Sequence, residues 1–181
     1  MTVRNYISFT FFALLTLTTT YGRRTQDKKS YTLAHIKNLY RQINGYKNYK
    51  TKIIEDAEEF LGHGTDNGGN LTGYYKGDSL KKVIEWVGLS NKVIQNEYYF
   101  DNDKLIFVFS TESRSRFNDT TQGFDYTKLD NVFKGRYYFD NGKLIDTLFN
   151  DTEHTTTKKQ DAAEFLTSSK DYLKLLKTKR K

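Results

Sequence analysis

Residues 98–106, YYFDNDKLI, return at residues 137–145 as YYFDNGKLI, with Asp103 replaced by Gly142 as the single change. Two aromatic runs flanking a two-residue turn make a β-hairpin. Asn141-Gly142 is the strongest short signal for one, because both central residues of a type I′ turn take positive φ. Counting outward from the turn sets Asp140 opposite Lys143, Phe139 opposite Leu144 and Tyr138 opposite Ile145. The first copy then sets Asp101 opposite Lys104, Phe100 opposite Leu105, Tyr99 opposite Ile106 and Tyr98 opposite Phe107. Simple alternation sends Tyr98, Phe100, Leu105, Phe107, Phe109, Tyr137, Phe139, Leu144 and Leu148 to one apolar face. The opposite face carries Glu97, Tyr99, Ile106, Val108, Arg136, Tyr138, Ile145 and Phe149. The repeat therefore reads as scaffold, with a blurred third relative in GYYKGDSLKKVIEW at residues 73–86.

Working outward, period-two segments rich in Tyr, Phe, Val and Ile occupy residues 71–75, 80–87, 93–100, 105–110, 132–139 and 144–149, each bounded by turn formers. Residues 111–131 are polar and read as an irregular loop between the two copies. Upstream, Leu33, Ile36, Leu39, Tyr40 and Ile43 form a helical stripe that stops at Gly45. A second helix is predicted over residues 51–61, with Gly62 as its left-handed cap. Downstream, Ala162, Ala163, Phe165, Leu166, Tyr172, Leu173 and Leu176 form another stripe, with Thr157 and Gln160 at capping-box spacing. The expected fold is α+β: an antiparallel meander of about six strands, with N-terminal helices and a C-terminal helix packed on one face.

The first 22 residues, MTVRNYISFTFFALLTLTTTYG, have the parts of an export signal: Arg4, an uncharged core over residues 7–20, and small residues at Thr20 and Gly22. That core is shorter than the roughly 20 apolar residues that span a bilayer. The expected organisation is a signal peptide at 1–22, a disordered polar lead-in at 23–29, one domain at 30–178 and a frayed basic tail at 179–181. The expected location is periplasmic or extracellular, without stable membrane insertion after cleavage. The chain has no cysteine, so packing alone must hold the domain.

Chemistry is sparse. The net charge of +7 is dispersed and accompanies no nucleic-acid recognition motif, so nucleic acid is not an expected partner. His35, His63 and His154 have no metal-ligand spacing, and Asp101-Asn102-Asp103 lacks the later ligands of a calcium loop. No nucleophile elbow and no phosphate-cradling glycine loop is present, so no catalytic residue, metal or cofactor is expected. The constellation with a positive reading is Tyr74 or Tyr75, with Tyr75 preferred, together with Tyr99 and Tyr138, whose rings on a sheet face would stack on sugars or anchor a protein. The expectation is a non-enzymatic module that binds a protein or an envelope polymer. The alternative is an envelope-associated hydrolase with its site near the His63 loop. Ligand identity and oligomeric state stay open at this level.

The segments GGNLTGYYKGDSLKKVIEW, NEYYFDNDKLIFVF and GRYYFDNGKLI together resemble a group of small exported bacterial proteins of uncharacterised function. In that group the G-G-x-L-T-x-Y-Y start and two Y-Y-F-x-N-G-K-L-I hairpins recur. The resemblance covers roughly residues 68–149 and brings no catalytic residue with it. More loosely, the hairpins are similar to MORN-like antitoxin repeats, whose period is shorter than the 39-residue offset here.

Overall fold

A computed structural model describes residues 10–151 and 162–178. Helix α1 (Thr10–Gly45) leads into strand β1 (Lys50–Ile54) and a short helix α2 (Ala57–Leu61). Six more strands follow: β2 (Gly69–Lys76), β3 (Ser79–Leu89), β4 (Lys92–Asp101), β5 (Lys104–Asn118), β6 (Gly123–Asp140) and β7 (Lys143–Asp151). Helix α3 (Ala162–Thr178) ends the described chain. The seven strands form one antiparallel sheet in sequence order, so the α+β class and the meander hold.

Two segments differ from expectation. Residues 51–54, expected in a helix, are strand: Thr51, Ile53 and Ile54 are β-branched, and Ile54 is buried while Ile53 faces out. The helix is confined to α2, where the Asp56 carboxylate accepts from the Glu58 N–H and Gly62 adopts the expected left-handed φ of 77°. Residues 111–131, expected to be a loop, form the outer part of a long β5–β6 ribbon closed by a turn at residues 119–122. Much of that ribbon is exposed, so no hydrophobic alternation marks it. Cross-strand pairs such as Phe117–Phe124, with ring centroids 5.5 Å apart, and the Arg116–Asp130 ion pair order it instead.

The repeated phrase forms the expected turns, with Asn102 and Asp103 at φ 49° and 59° and Asn141 and Gly142 at 49° and 74°. The innermost pairs, Asp101–Lys104, Phe100–Leu105, Asp140–Lys143 and Phe139–Leu144, are also as expected. Beyond them the register breaks. Tyr99 pairs with Phe107 rather than Ile106, and Tyr138 with Asp146 rather than Ile145, because a bulge in each copy inserts Ile106 or Ile145. The β2–β3 hairpin does the same: Tyr75 pairs with Leu80 and Tyr74 with Lys82, leaving Lys81 extra. Tyr75, Phe100 and Phe139 thus hold one structural position in three bulged hairpins. Their spacings are 25 and 39 residues; the excess of fourteen comes from the β5–β6 ribbon being longer than β3–β4.

A one-residue bulge moves every following side chain to the other face. Phe107 therefore lies with Tyr99 and Tyr138, while Val108 lies with Tyr98 and Tyr137. Phe109 belongs to the Phe107 side, and Phe149 packs with the Tyr137 cluster, each opposite to expectation. Leu144 and Leu148, expected in the core, are exposed.

The helices cover both faces of the sheet rather than one. On one face the register aligns Tyr74, Lys82, Tyr99, Phe107, Tyr138 and Asp146 in a single row across β2 to β7. Helix α1 lies along that row. Asn44 donates to the Tyr99 hydroxyl at 3.1 Å and Lys29 pairs with Asp146 at 3.0 Å. Asn44 also accepts from Lys82 on β3 at 3.2 Å, so the helix advances about 22 Å from Lys29 to Asn44 at about 1.5 Å per residue, close to the roughly 19 Å of the four strand spacings from β7 to β3. Residues 23–29 are helical within α1 rather than a disordered lead-in; Arg, Gln and Lys are good helix formers, and Lys29 is tied to the sheet.

On the other face the matching row is Gly73, Val83, Tyr98, Val108, Tyr137 and Thr147. Here α3 buries Phe165 against Tyr98 and Tyr137, Tyr172 against Tyr98, and Leu176 above Gly73. The capping pair Thr157 and Gln160 lies outside the described residues.

Candidate functional site

Where α1 crosses β5 and β6, helix and sheet do not close completely. A groove of about 260 Å³ remains. Its floor follows from the register: Phe107 pairs with Tyr138 and Phe109 with Arg136, a two-by-two patch on the α1 face. Its wall is the α1 surface carrying Ile36, Lys37, Tyr40 and Arg41, residues at helix-neighbour spacing. Tyr40 closes one end, its ring 5.0 Å from Tyr99 and 5.4 Å from Phe107. The guanidinium of Arg136 sits 5.2 Å from the Phe109 ring centroid, a cation–π contact that holds its planar fork in place.

The bulge at Ile106 makes this groove. Without it Phe107 and Phe109 would face α3, and Lys37 and Arg41 would look onto other residues. Three cations, Lys37, Arg41 and Arg136, meet around the aromatic floor, and none of them has a carboxylate partner among the described residues. The acid closest by register, Asp146, is held by Lys29. Burial raises the Tyr138 hydroxyl above its ordinary value; the neighbouring Arg136 charge opposes this, while Asp146 and Tyr40 reinforce it. The lining contains no carboxylate, histidine or serine; its polar groups are the three cations and the hydroxyls of Tyr40 and Tyr138. What it offers is complementary charge over an apolar surface.

The three tyrosines singled out from sequence do not stand on an open face: Tyr75 is 6 %, Tyr99 0 % and Tyr138 8 % exposed. Their expected exposure assumed cover on one face only, and each lies beneath a helix. The Tyr75 hydroxyl donates to the Leu176 carbonyl at 3.2 Å, beside the Lys52 ammonium at 2.8 Å, satisfying a last-turn carbonyl of α3. Tyr99 donates to Glu97, which also pairs with Lys82, and accepts from Asn44 at the end of α1. Burial, reinforced by the Glu97 charge, pushes its hydroxyl far up. Tyr138 alone of the three lines the groove, as part of its floor.

Sequence reasoning passed over Glu85. It is buried on the α3 face, where it accepts from the Tyr98 hydroxyl at 2.8 Å and the Asn96 amide at 3.2 Å, and also bonds Tyr172. The other buried carboxylate, Glu112, is met by Lys92 at 3.2 Å and Arg114 at 2.9 Å. Glu85 has neutral partners, and burial outweighs their hydrogen bonds, so its pKa is raised above the usual 4.5. The raised folded-state value makes the native chain hold a proton that the unfolded chain has released. Its stabilising effect is complete below pH about 4.5 and is lost as pH rises through the folded value. Glu85→Gln keeps the acceptor and removes the titration. The variant's urea midpoint is therefore expected to gain on the parent's from about pH 4 to about pH 7; a gap that shrinks over that range would mean the ionised carboxylate is the favoured native form.

His63 is exposed, with Nδ1 2.9 Å from the Gly64 carbonyl oxygen, and the nearby Asp66 is engaged by the Ser90 hydroxyl. Among the described residues, no group of three or more His, Cys, Asp or Glu is placed to hold a metal ion, and no helix is long and apolar enough to cross a membrane. No protein-family model, curated protein or solved structure matches the chain.

Proposed function

We propose that the protein is an exported, non-enzymatic binding module that takes an anionic ligand in the groove between α1 and β5–β6. One observation carries this reading: Lys37, Arg41 and Arg136 converge on an aromatic floor without a carboxylate partner among the described residues. Cations clustered around low-dielectric walls repel one another and concentrate counter-ions, so a ligand that neutralises them gains on both counts. The lining joins three cations and two tyrosine hydroxyls with no carboxylate to pair them, a set that suits holding an anion. Export rests on the character of the first 22 residues and suits a module that meets its ligand outside the cytoplasm.

Charge reversal tests the reading. Arg41→Glu with Arg136→Glu in the full chain is expected to leave the fold intact, because the side chains line an open groove, and to abolish anion-induced shifts of the groove residues in an NMR titration. Binding is also expected to weaken as salt rises, since the cations are partly solvated. Equal anion binding by parent and double variant would place the site elsewhere.

A further inference from the structure

The groove's chemistry narrows the ligand beyond its sign. We infer that it takes a small ring-bearing monocarboxylic acid, with the carboxylate between Arg41 and Arg136 and the ring on Phe107, Phe109 and Tyr138. The inference rests on the anion-binding reading and adds the identity of both halves of the ligand.

Size comes first. At about 260 Å³ the groove falls just below the range of roughly 300–1,000 Å³ that accommodates drug-sized molecules. It fits a single ring with a short acidic arm. The floor comes second. Phe107 and Tyr138 have centroids 5.0 Å apart and tilted at 43°, and Tyr40 meets Phe107 edge-on at 81°. Tilted neighbours of this kind present both ring faces and ring edges, and a further ring gains from either. A ligand without an apolar body would leave that surface wet.

The charged end comes third. The Arg136 guanidinium lies over the Phe109 ring, 5.2 Å from its centroid, and a planar carboxylate matches such a fork with two parallel hydrogen bonds. A compact, strongly hydrated dianion such as phosphate would lose much of its hydration beside aromatic walls and use none of the floor. Lys37, an exposed residue of the α1 wall, adds a flexible point charge.

The test titrates the full chain with four probes: 3-phenylpropionate, its neutral analogue 3-phenylpropanamide, acetate and inorganic phosphate. Affinity is read by calorimetry and the site by NMR shifts. The expected result is 3-phenylpropionate binding at least about tenfold tighter than each of the others, because the amide loses the charge-assisted bidentate pair, acetate loses the ring contact, and phosphate loses the ring contact and the planar match. Arg136→Gln and Phe109→Leu should each remove about tenfold, while Lys143→Gln on the distant β6–β7 turn should change nothing. If acetate or phosphate binds as tightly as 3-phenylpropionate in the groove, the ring-bearing class is overturned and the anion-binding reading survives. If the amide binds equally, or if no probe shifts the groove residues, both are overturned.

Discussion

Truncating Phe139 to alanine is expected to destabilise the protein by about 3–5 kcal/mol, the usual cost of emptying a fully buried phenylalanine site. Phe139 is 0 % exposed in the cluster that joins the sheet to α3. At about 2–4 °C per kcal/mol for a chain of this size, the melting temperature should fall by roughly 6–20 °C. Phe100→Ala should match it, because Phe100 occupies the same position in the preceding hairpin and is equally enclosed. The discriminating control is Leu144→Ala. Leu144 is the cross-strand partner of Phe139, yet it is 42 % exposed, so its loss should cost less than about 1 kcal/mol. Denaturant melts of the three variants check the ranking. Equal costs for Phe139 and Leu144 would mean that Leu144 is as enclosed as its cross-strand partner and that the edge of β7 is covered.

The second large effect belongs to α1. Ile36→Asp places a carboxylate at a position buried against Tyr99, Phe107 and Tyr138. The substitution loses the isoleucine contacts, about 2–5 kcal/mol by analogy with other truncations at buried isoleucines. It also asks the helix to desolvate a charge. Lifting α1 off the sheet relieves the second cost. Hydrogen exchange of the amides in residues 33–45 should therefore accelerate strongly, together with exposure of Tyr99 and Tyr138, whereas α3 stays protected on the opposite face. Asn38→Asp, which adds the same charge on the exposed side of the helix, should leave exchange near the parental rate.

These two variants separate what was legible in the chain from what was not. The turns at Asn102 and Asn141 were legible because positive φ demands those residue types, and the strand segments followed from β-branched and aromatic runs. The bulges were not, since Ile106 and Ile145 sit among apolar neighbours where either register looks satisfactory. The run from Leu105 to Phe109 did contain the missing signal: five consecutive apolar residues break strict alternation and suit a strand covered on both sides. Taking one face as open led directly to Tyr75, Tyr99 and Tyr138 as exposed rings; α1 covers Tyr99 and most of Tyr138, while Tyr75, at the position of Phe100 and Phe139, lies under α3. The groove was illegible for another reason. Lys37 and Arg41 lie about a hundred residues from Arg136, and only the path of α1 across the row from Asp146 to Lys82 brings them together. The β5–β6 ribbon escaped notice because its exposed polar surface carries no periodicity for a pattern to report.

The central claim is that the repeated phrase is buried architecture, sealed by α1 on one side and α3 on the other. Tyrosine nitration of the native protein, with sites quantified by mass spectrometry, tests it most directly. Tyr31, 76 % exposed, should react readily, while Tyr98, Tyr99, Tyr137 and Tyr138 remain protected until the chain is unfolded. Nitration of Tyr99 and Tyr138 in the native state at the rate of Tyr31 would contradict the account.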